Sequence, residues 1–102
     1  PFLPKPGEGP SETVQENGWF DCKFIAESED GTKSVFNMHG KGDPGYKVTS
    51  KLVSECAFCL IEDIEELPGG RGYGGVLTSA SGLGHSLITR LTKAGIDFKG
   101  PL

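Results

Sequence analysis

The fold is decided at residues 19–26, which read WFDCKFIA. In an extended chain, alternate positions lie on opposite faces, so one face carries Phe20, Cys22, Phe24 and Ala26 and the other carries Trp19, Asp21, Lys23 and Ile25. This alternation predicts a β-strand. Asp30-Gly31 then supplies the turn residues of a β-hairpin, and residues 34–39 alternate again. Residues 19–39 therefore predict a two-stranded antiparallel hairpin.

Two helices are predicted beyond the hairpin. After a break at 40–45, a segment of about 46–62 repeats apolar residues every three or four positions, as a helix face requires, at Val48, Leu52, Val53, Cys56, Cys59, Leu60 and Ile64. A second helix is predicted over about 79–94, with the stripe Leu83, Leu87, Ile88 and Leu91 and the ending Lys93-Ala94-Gly95. Residues 96–98 are a candidate for a short final strand. The predicted fold class is α+β, an antiparallel hairpin or small sheet packed with two helices.

Residues 1–18 are predicted to form a Pro- and Gly-rich linker and a short helix. The first ten residues hold four prolines and two glycines, which interrupt both helices and strand pairing. Ser11 offers an N-cap oxygen to the following segment, which Gly18 is predicted to end in a left-handed conformation. The α+β portion then covers 19–102, with a Gly-rich loop at 68–75 between the two longer helices.

The first long helix has two features that its own neighbours do not explain. Its middle, Cys56 to Ile61, is apolar on all sides, which predicts that something beyond the hairpin covers it. Its end is crowded with acidic residues, Glu62, Asp63, Glu65 and Glu66, where the negative end of the helix dipole disfavours them. Either the helix ends by Glu62, or a basic surface outside this chain faces these carboxylates.

Composition limits the classes of function. The chain has 102 residues and a mass of 10.8 kDa, which is enough for one domain, and its formal net charge is -4. That balance argues against nucleic acid or an anionic membrane as the partner. The longest apolar run is far shorter than the ~20 residues that span a bilayer, so no membrane insertion is predicted.

The termini and the cysteines indicate a cellular context. The chain begins PFLPKPG, without an initiator Met or a signal-peptide pattern, which is typical of an excised fragment. Three cysteines leave one unpaired and fit a reducing compartment better than a disulfide-stabilised secreted domain. We therefore expect a cytoplasmic protein.

Three motifs were weighed for chemistry and set aside. Residues 70–75 satisfy G-x-G-x-x-G, but they follow an acidic helix end and precede Val76-Leu77, whereas a dinucleotide site needs a buried strand before the loop and a helix after it. Cys56 and Cys59 form a C-x-x-C in the middle of a helix, where the dipole does not stabilise a thiolate. The other cysteine and the two histidines lack the spacing of a metal site. We predict no cofactor-binding or metal-binding residue in this chain.

A Gly- and Pro-rich turn carries the best candidate site. His39, Asp43 and Tyr46 cluster around it, between a strand end and a helix start, where sites are commonly found. An Asp at that position is equally typical of a helix cap, so a cap-and-turn role remains the alternative. Thr78 is a further candidate, and it is also a potential cap of the second long helix, as are Ser79 and Ser81.

The order of three segments resembles a known group of enzymes. The segments are PGEGPS at 6–11 with GWF at 18–20, GDPGY at 42–46 with TSKLVSE at 49–55, and GGVLT at 74–78 with the helix after it. Together they resemble the C-terminal part of the saccharopine dehydrogenase-like oxidoreductases, which include trans-acting enoyl reductases. The resemblance covers nearly the whole chain. One departure is Ser79, which stands where members of the group tend to have Pro.

The resemblance implies an enzyme whose N-terminal Rossmann domain binds NAD or NADP, and whose later α+β domain supplies substrate contacts and a dimer surface. It implies that this chain is part of such an enzyme, inactive without the N-terminal domain, which would be its partner within the same polypeptide. His39, Asp43, Tyr46 and Thr78 are then candidate substrate-binding residues, with no catalytic residue assigned. The alternatives are a non-catalytic interaction module that joins two copies, and a thiol redox protein.

Overall fold

A three-stranded antiparallel sheet organises the chain. In the computed structural model, which describes residues 5–101, the strands are β1 (Trp19–Glu27), β2 (Lys33–Lys41) and β3 (Ile96–Lys99), in the order β1-β2-β3. The predicted hairpin and the candidate final strand are both confirmed, each slightly longer than predicted. Positions 1–4 of the predicted linker lie outside the described residues.

The register places apolar residues on one face of the sheet, as the alternation predicted. Gly40 of β2 lies between Phe20 of β1 and Ile96 of β3, and the next row on the same face contains Cys22, Met38 and Phe98. This face packs against the helices, since Phe20 and Met38 contact the buried cluster described below. The opposite, polar face carries the charged residues of all three strands, together with Trp19, Ile25 and Val35.

The short N-terminal helix, α1 (Glu12–Asn17), is confirmed with its predicted cap, because the Ser11 side chain accepts a hydrogen bond from the Val14 N–H. The prediction for Gly18 was wrong. Its φ of -65° and ψ of 165° are extended rather than left-handed. Glycine is needed there for space: a Cβ would lie 2.8 Å from the Val14 carbonyl oxygen, where the chain turns directly into β1.

The two long helices are α2 (Lys47–Glu62) and α3 (Ser79–Lys93), joined through a loop that contains a short 3-10 helix at Gly70–Gly72. The second long helix has nearly its predicted bounds, but Gly84 has φ 53° and ψ -135° and separates two helical pieces. A Cβ at this position would lie 2.8 Å from Pro68 Cγ, so the loop packs where only glycine fits. Periodicity does not reveal such a kink, since the apolar stripe continues through it.

The core is small for a chain of this length. Val48, Leu91 and Ile96 are buried together, and Phe20, Met38, Leu52 and Leu87 pack around them. The accessible surface is 7660 Å², whereas a compact monomer of this mass exposes about 5,500 Å². The radius of gyration is 16.5 Å, against about 13 Å for a compact domain of 100 residues. The chain therefore exposes more surface and is less compact than a typical domain of its size.

The uncovered surface includes the region that the sequence singled out. Leu60 and Ile61 in α2 are both more than half exposed, in agreement with the prediction that the middle of this helix needs a cover that the hairpin does not provide. Within residues 5–101, no helix is both long and apolar enough to cross a membrane.

Gly40→Ala tests the packing at the centre of the sheet. A Cβ at Gly40 would overlap the Phe20 ring and approach Ile96 Cδ1 to 2.9 Å, so we expect the free energy of unfolding to fall by about 1–3 kcal/mol. Gly72→Ala is the matched control, since a Cβ there meets nothing within 4 Å. Chemical denaturation of both variants measures the difference. Equal stability of Gly40→Ala and the wild type would contradict this account of the core.

Candidate functional site

The turn before α2 is held by Asp43. Its Oδ2 accepts a hydrogen bond of 2.8 Å from the Tyr46 N–H, and its backbone carbonyl accepts one of 2.9 Å from the Val48 N–H. The N-cap residue of α2 is Tyr46, without a side-chain cap. Asp43 is therefore not the N-cap residue of α2. Its carboxylate instead closes the turn that leads into the helix, because Pro44 and Gly45 separate Asp43 from the first helical residues.

Tyr46 is half-exposed and lies against the N-terminal segment. Its ring passes close to Gly9, where a Cβ would lie 3.3 Å from Tyr46 Cε2. The ring therefore packs beside Gly9 and ties the N-terminal segment to the start of α2. Asp43 and Tyr46 form one structural unit at the end of β2, as their sequence proximity suggested.

His39 lies on the polar face of the sheet, away from the helices. The register places it between Asp21 of β1 and Asp97 of β3, and its ring centroid is 6.3 Å from that of Trp19. Directly opposite residues in neighbouring antiparallel strands have side chains close enough to interact. The result is a row of carboxylate, imidazole and carboxylate across the three strands.

The side chain of Asn37 lies near His39 on the same face of the sheet. Asn37 donates from Nδ2 to Asp21 Oδ1 at 3.0 Å, while its own Oδ1 is buried without a hydrogen-bond partner in the described part of the chain. Together with Lys99, these residues line a space of about 250 Å³ around His39. Asp21, Asn37 and Asp97 were not among the predicted site residues. Alternation along β1 predicted that Asp21 lies on the polar face, but its position opposite His39 depends on the strand register.

Thr78 is occupied as a helix cap. Its Oγ1 accepts a hydrogen bond from the Ser81 N–H at 3.1 Å, and its own N–H donates to Ser81 Oγ at 3.1 Å, which completes a capping box at the start of α3. Thr78 also borders a mostly apolar groove of about 360 Å³ with Leu60, Tyr73 and Leu77. The four predicted site residues are therefore not gathered in one depression: Asp43 and Tyr46 share a turn, while His39 and Thr78 line separate spaces.

The strongest ionic cluster joins α2 to α3 through Arg90, which the sequence analysis did not select. Its guanidinium contacts Asp63 at 2.5 and 2.9 Å, Glu62 at 2.5 Å and Glu55 at 3.7 Å, and it lies 5.8 Å from the centre of the Phe58 ring. The helix ends at Glu62, as the first of the two alternatives stated. The positive charge that faces the acidic end comes from α3 of the same chain.

Charge and burial set the protonation of these groups. Hydrogen bonds from Arg90 lower the pKa of the Asp63 carboxyl, and the contacts with Asp63 and then Glu62 raise the pKa of the Arg90 guanidinium. Burial raises the pKa of the Cys56 and Cys59 thiols. Both cysteines therefore stay protonated at neutral pH, which argues against the thiol redox alternative.

Two further site types were sought in the structure. Among residues 5–101, no group of three or more His, Cys, Asp or Glu side chains is arranged to hold a metal ion. The Gly-rich loop follows the end of α2 rather than a strand and contains the 3-10 helix at Gly70–Gly72, so it does not have the geometry of a dinucleotide-binding turn.

Comparison with known proteins finds relatives of one kind. The chain is 38% identical over 97 residues to a Mycobacterium tuberculosis protein named as a candidate trans-acting enoyl reductase, an alignment that covers 95% of this chain and 22% of that protein. It is 32% identical over 93 residues to a trans-acting enoyl reductase of Mycobacterium ulcerans and 33% identical to one of Mycobacterium bovis, with 91% of this chain and 21% of each relative covered. No family model and no solved structure matches the chain.

These relatives are much longer than this chain. The chain spans about a fifth of the length of the curated relatives that it matches.

The Arg90 cluster predicts a specific dependence of stability on pH. The pKa of Asp63 is lower in the folded chain than its unfolded value of about 3.9, so the pair stabilises the fold above that pH, and this contribution disappears as the pH falls through the lowered pKa. We expect Asp63→Asn to be less stable than the wild type at pH 7, and the difference in stability between the two to narrow as the pH falls below about 4. Thermal unfolding from pH 7 to pH 3 measures it.

Two comparisons isolate this effect. Asp30 also titrates in acid, since the Ser28 hydroxyl and the Thr32 backbone lower its pKa to about 2, but it is present in both proteins and cancels in the difference. Glu65→Gln is the matched control, because Glu65 pairs with Arg71 on the exposed surface, where ion pairs contribute little. A gap between Asp63→Asn and the wild type that stays constant from pH 7 to pH 3 would contradict the prediction.

Proposed function

We propose that this chain is the C-terminal, substrate-contacting and dimerising part of an NAD(P)-dependent oxidoreductase of the saccharopine dehydrogenase-like group. Alone, it would not catalyse a reaction. The observation that carries the proposal is the similarity itself: more than nine-tenths of the chain aligns with proteins named for trans-acting enoyl reductase activity, but it accounts for only about a fifth of their length.

The open surface supports the proposal. The chain exposes roughly 2,000 Å² more than a compact monomer of its mass, which exceeds the ~800 Å² that each partner contributes to a standard interface. Side chains such as Leu60 and Ile61 in this surface are apolar. In a larger protein, the rest of the polypeptide or a second copy would cover these side chains.

The cofactor would be bound elsewhere in the longer polypeptide. The Gly-rich loop of this chain lacks the strand–turn–helix context of a dinucleotide site, so its residues do not fit NAD or NADP. We propose that a Rossmann domain N-terminal to this segment holds the cofactor in the cytoplasm. This chain's residues would contact the substrate, with His39, Asp43 and Tyr46 around the end of β2 and Thr78 beside the apolar groove.

A second candidate function is a non-catalytic dimerisation module. The observation that favours it is the outer edge of β1, a nine-residue strand that, within residues 5–101, pairs with β2 on one side and with no strand on the other. Unpaired backbone groups along such an edge favour association with another strand. The two candidates differ in whether the longer polypeptide consumes a reduced nicotinamide.

Activity measurements on two proteins separate these candidates. The longer polypeptide that contains this segment should oxidise NADH or NADPH in the presence of an enoyl thioester, and the 102-residue chain should not. Removing the segment from the longer polypeptide should abolish turnover. A longer polypeptide that folds but neither binds nor oxidises either nicotinamide would sink the oxidoreductase assignment and leave the interaction module.

Asp43→Asn tests the proposed substrate role of the turn. Asn retains an oxygen that can accept the Tyr46 N–H, so the melting temperature should stay unchanged, whereas Asp43→Ala should cost about 0.5–2 kcal/mol of stability. A substrate-binding carboxylate requires more than an acceptor. In the active longer polypeptide we expect Asp43→Asn to lower kcat/KM at least tenfold, a loss of ~1.4 kcal/mol.

Two variants accompany this measurement. Tyr46→Phe removes only the hydroxyl and should also lower kcat/KM, whereas Glu29→Gln, at the exposed hairpin turn, is the control with an equivalent loss of charge. Unchanged kinetics in both Asp43→Asn and Tyr46→Phe would make the turn purely structural.

A further inference from the structure

The outer edge of β1 presents a defined set of backbone groups. At the two ends of the hairpin, the Gly18 carbonyl accepts a hydrogen bond from the Gly42 N–H at 2.6 Å, and the Ser28 N–H donates to the Thr32 carbonyl at 3.0 Å. In the uninterrupted register between these points, even-numbered residues of β1 bond to β2. The odd-numbered residues therefore direct their N–H and C=O groups outward, and no strand among residues 5–101 pairs with them.

This edge lacks most of the features that normally prevent association. Natural edge strands are kept short, or carry prolines, bulges or several charges. β1 has nine residues without a proline or a bulge, and Trp19, Phe24 and Ile25 on it are 68%, 54% and 64% exposed. Large apolar side chains thus flank an open row of hydrogen-bonding groups.

The charges of β1, together with the length of strand that can pair, favour one antiparallel register with a second copy of the same strand. If the twofold axis passes through Cys22, Asp21 of each copy lies opposite Lys23 of the other. An axis at Asp21 would oppose two aspartates, an axis at Lys23 would oppose two lysines, and an axis at Phe24 would oppose Asp21 and Glu27. An axis at Ile25 would place Lys23 opposite Glu27, but it would join only residues 23–27 of each strand. The Cys22 register brings opposite charges together and joins the longer stretch 19–25 of each strand.

The same register matches the apolar residues and the hydrogen-bond pattern. It places Phe20 opposite Phe24 on the face that carries the helices, and Trp19 opposite Ile25 on the polar face. Asp21 and Lys23 are odd-numbered, so their outward backbone groups can exchange two hydrogen bonds in each such pair. Cys22 then faces its counterpart in a non-hydrogen-bonded pair, where the Cα atoms are about 4.5 Å apart.

We propose that β1 pairs antiparallel with β1 of a second copy of this chain, about an axis through Cys22, to form one continuous six-stranded sheet. The inference deepens the dimerising role in the proposed function and rests on it. It explains why apolar side chains flank an open strand edge, and it buries Phe24 and Ile25, which the chain alone leaves exposed.

Disulfide trapping tests the register directly. Diamide takes up the two protons and two electrons released when two thiols join, and Cys22 is the exposed cysteine, while Cys59 is buried and Cys56 half-buried. The Cα separation in the proposed pair suits a disulfide. On a non-reducing gel we expect a covalent dimer from the wild type and from Cys56→Ser, but not from Cys22→Ser. A dimer that persists in Cys22→Ser would overturn the register.

Charge reversal tests the contact without oxidation. Asp21→Lys alone or Lys23→Asp alone places like charges opposite each other, so the dissociation constant from analytical ultracentrifugation should rise at least about tenfold. The double variant Asp21→Lys/Lys23→Asp restores opposite charges in both pairs and should return close to the wild-type value. Asp97→Lys makes the same charge change on β3, away from the edge, and should leave dimerisation unaltered.

The remaining outcomes are also decisive. Circular dichroism shows whether each variant folds, and rescue by the double variant excludes a general loss of structure. A wild-type chain that stays monomeric across the accessible concentration range would overturn the inference without touching the oxidoreductase assignment. A longer polypeptide that is monomeric, although the isolated chain forms the Cys22 disulfide, would show that the rest of the polypeptide occupies this edge and would equally overturn it. Loss of reductase activity alone leaves the dimer result intact.

Discussion

The structure depends on the approach of three strands at Gly40. Phe20 and Ile96 meet across this residue, which has no side chain to separate them, and Ile96 continues into the cluster with Val48 and Leu91. The contact joins the hairpin at one end of the chain to the last strand at the other, with both long helices held against the same face. Since few other side chains are buried, this point fixes the relative positions of all the larger elements.

A core of this size leaves the ends of the elements unsupported by apolar burial, and polar contacts position them instead. Arg90 connects the last turn of α2 to α3 through Asp63 and Glu62, and Lys51 donates to the Ala94 carbonyl near the end of α3 at 2.7 Å. The capping box of Thr78 and Ser81 fixes the start of α3 in the same way. These contacts explain how the chain keeps a defined shape although apolar side chains such as Leu60 and Ile61 remain exposed.

The C-terminal end of β2 carries the residues of the proposed function. The polar face gathers His39 between two aspartates, and the turn that follows is closed by Asp43. The free edge of β1 borders the same polar face, so a dimer formed through that edge would bring the two His39 depressions onto one continuous sheet surface. Substrate contact and association would then share a single structural element, which gives a physical reason for both to occur in one small segment.

The sequence by itself determined the elements: period-two alternation gave both strands of the hairpin, period-3.6 spacing gave α2 and α3, and Ser11 and Thr78 marked helix starts. These features are local, because they depend on residues within a few positions of each other. Only the tertiary structure decided that Gly18 is extended and that Gly84 breaks α3. It also decided that Asp21 and Asp97 flank His39, and that Arg90 forms ion pairs with the acidic end of α2. Each of these depends on a neighbour distant along the chain or across the sheet, and no spacing within the sequence specifies which distant residue will be there.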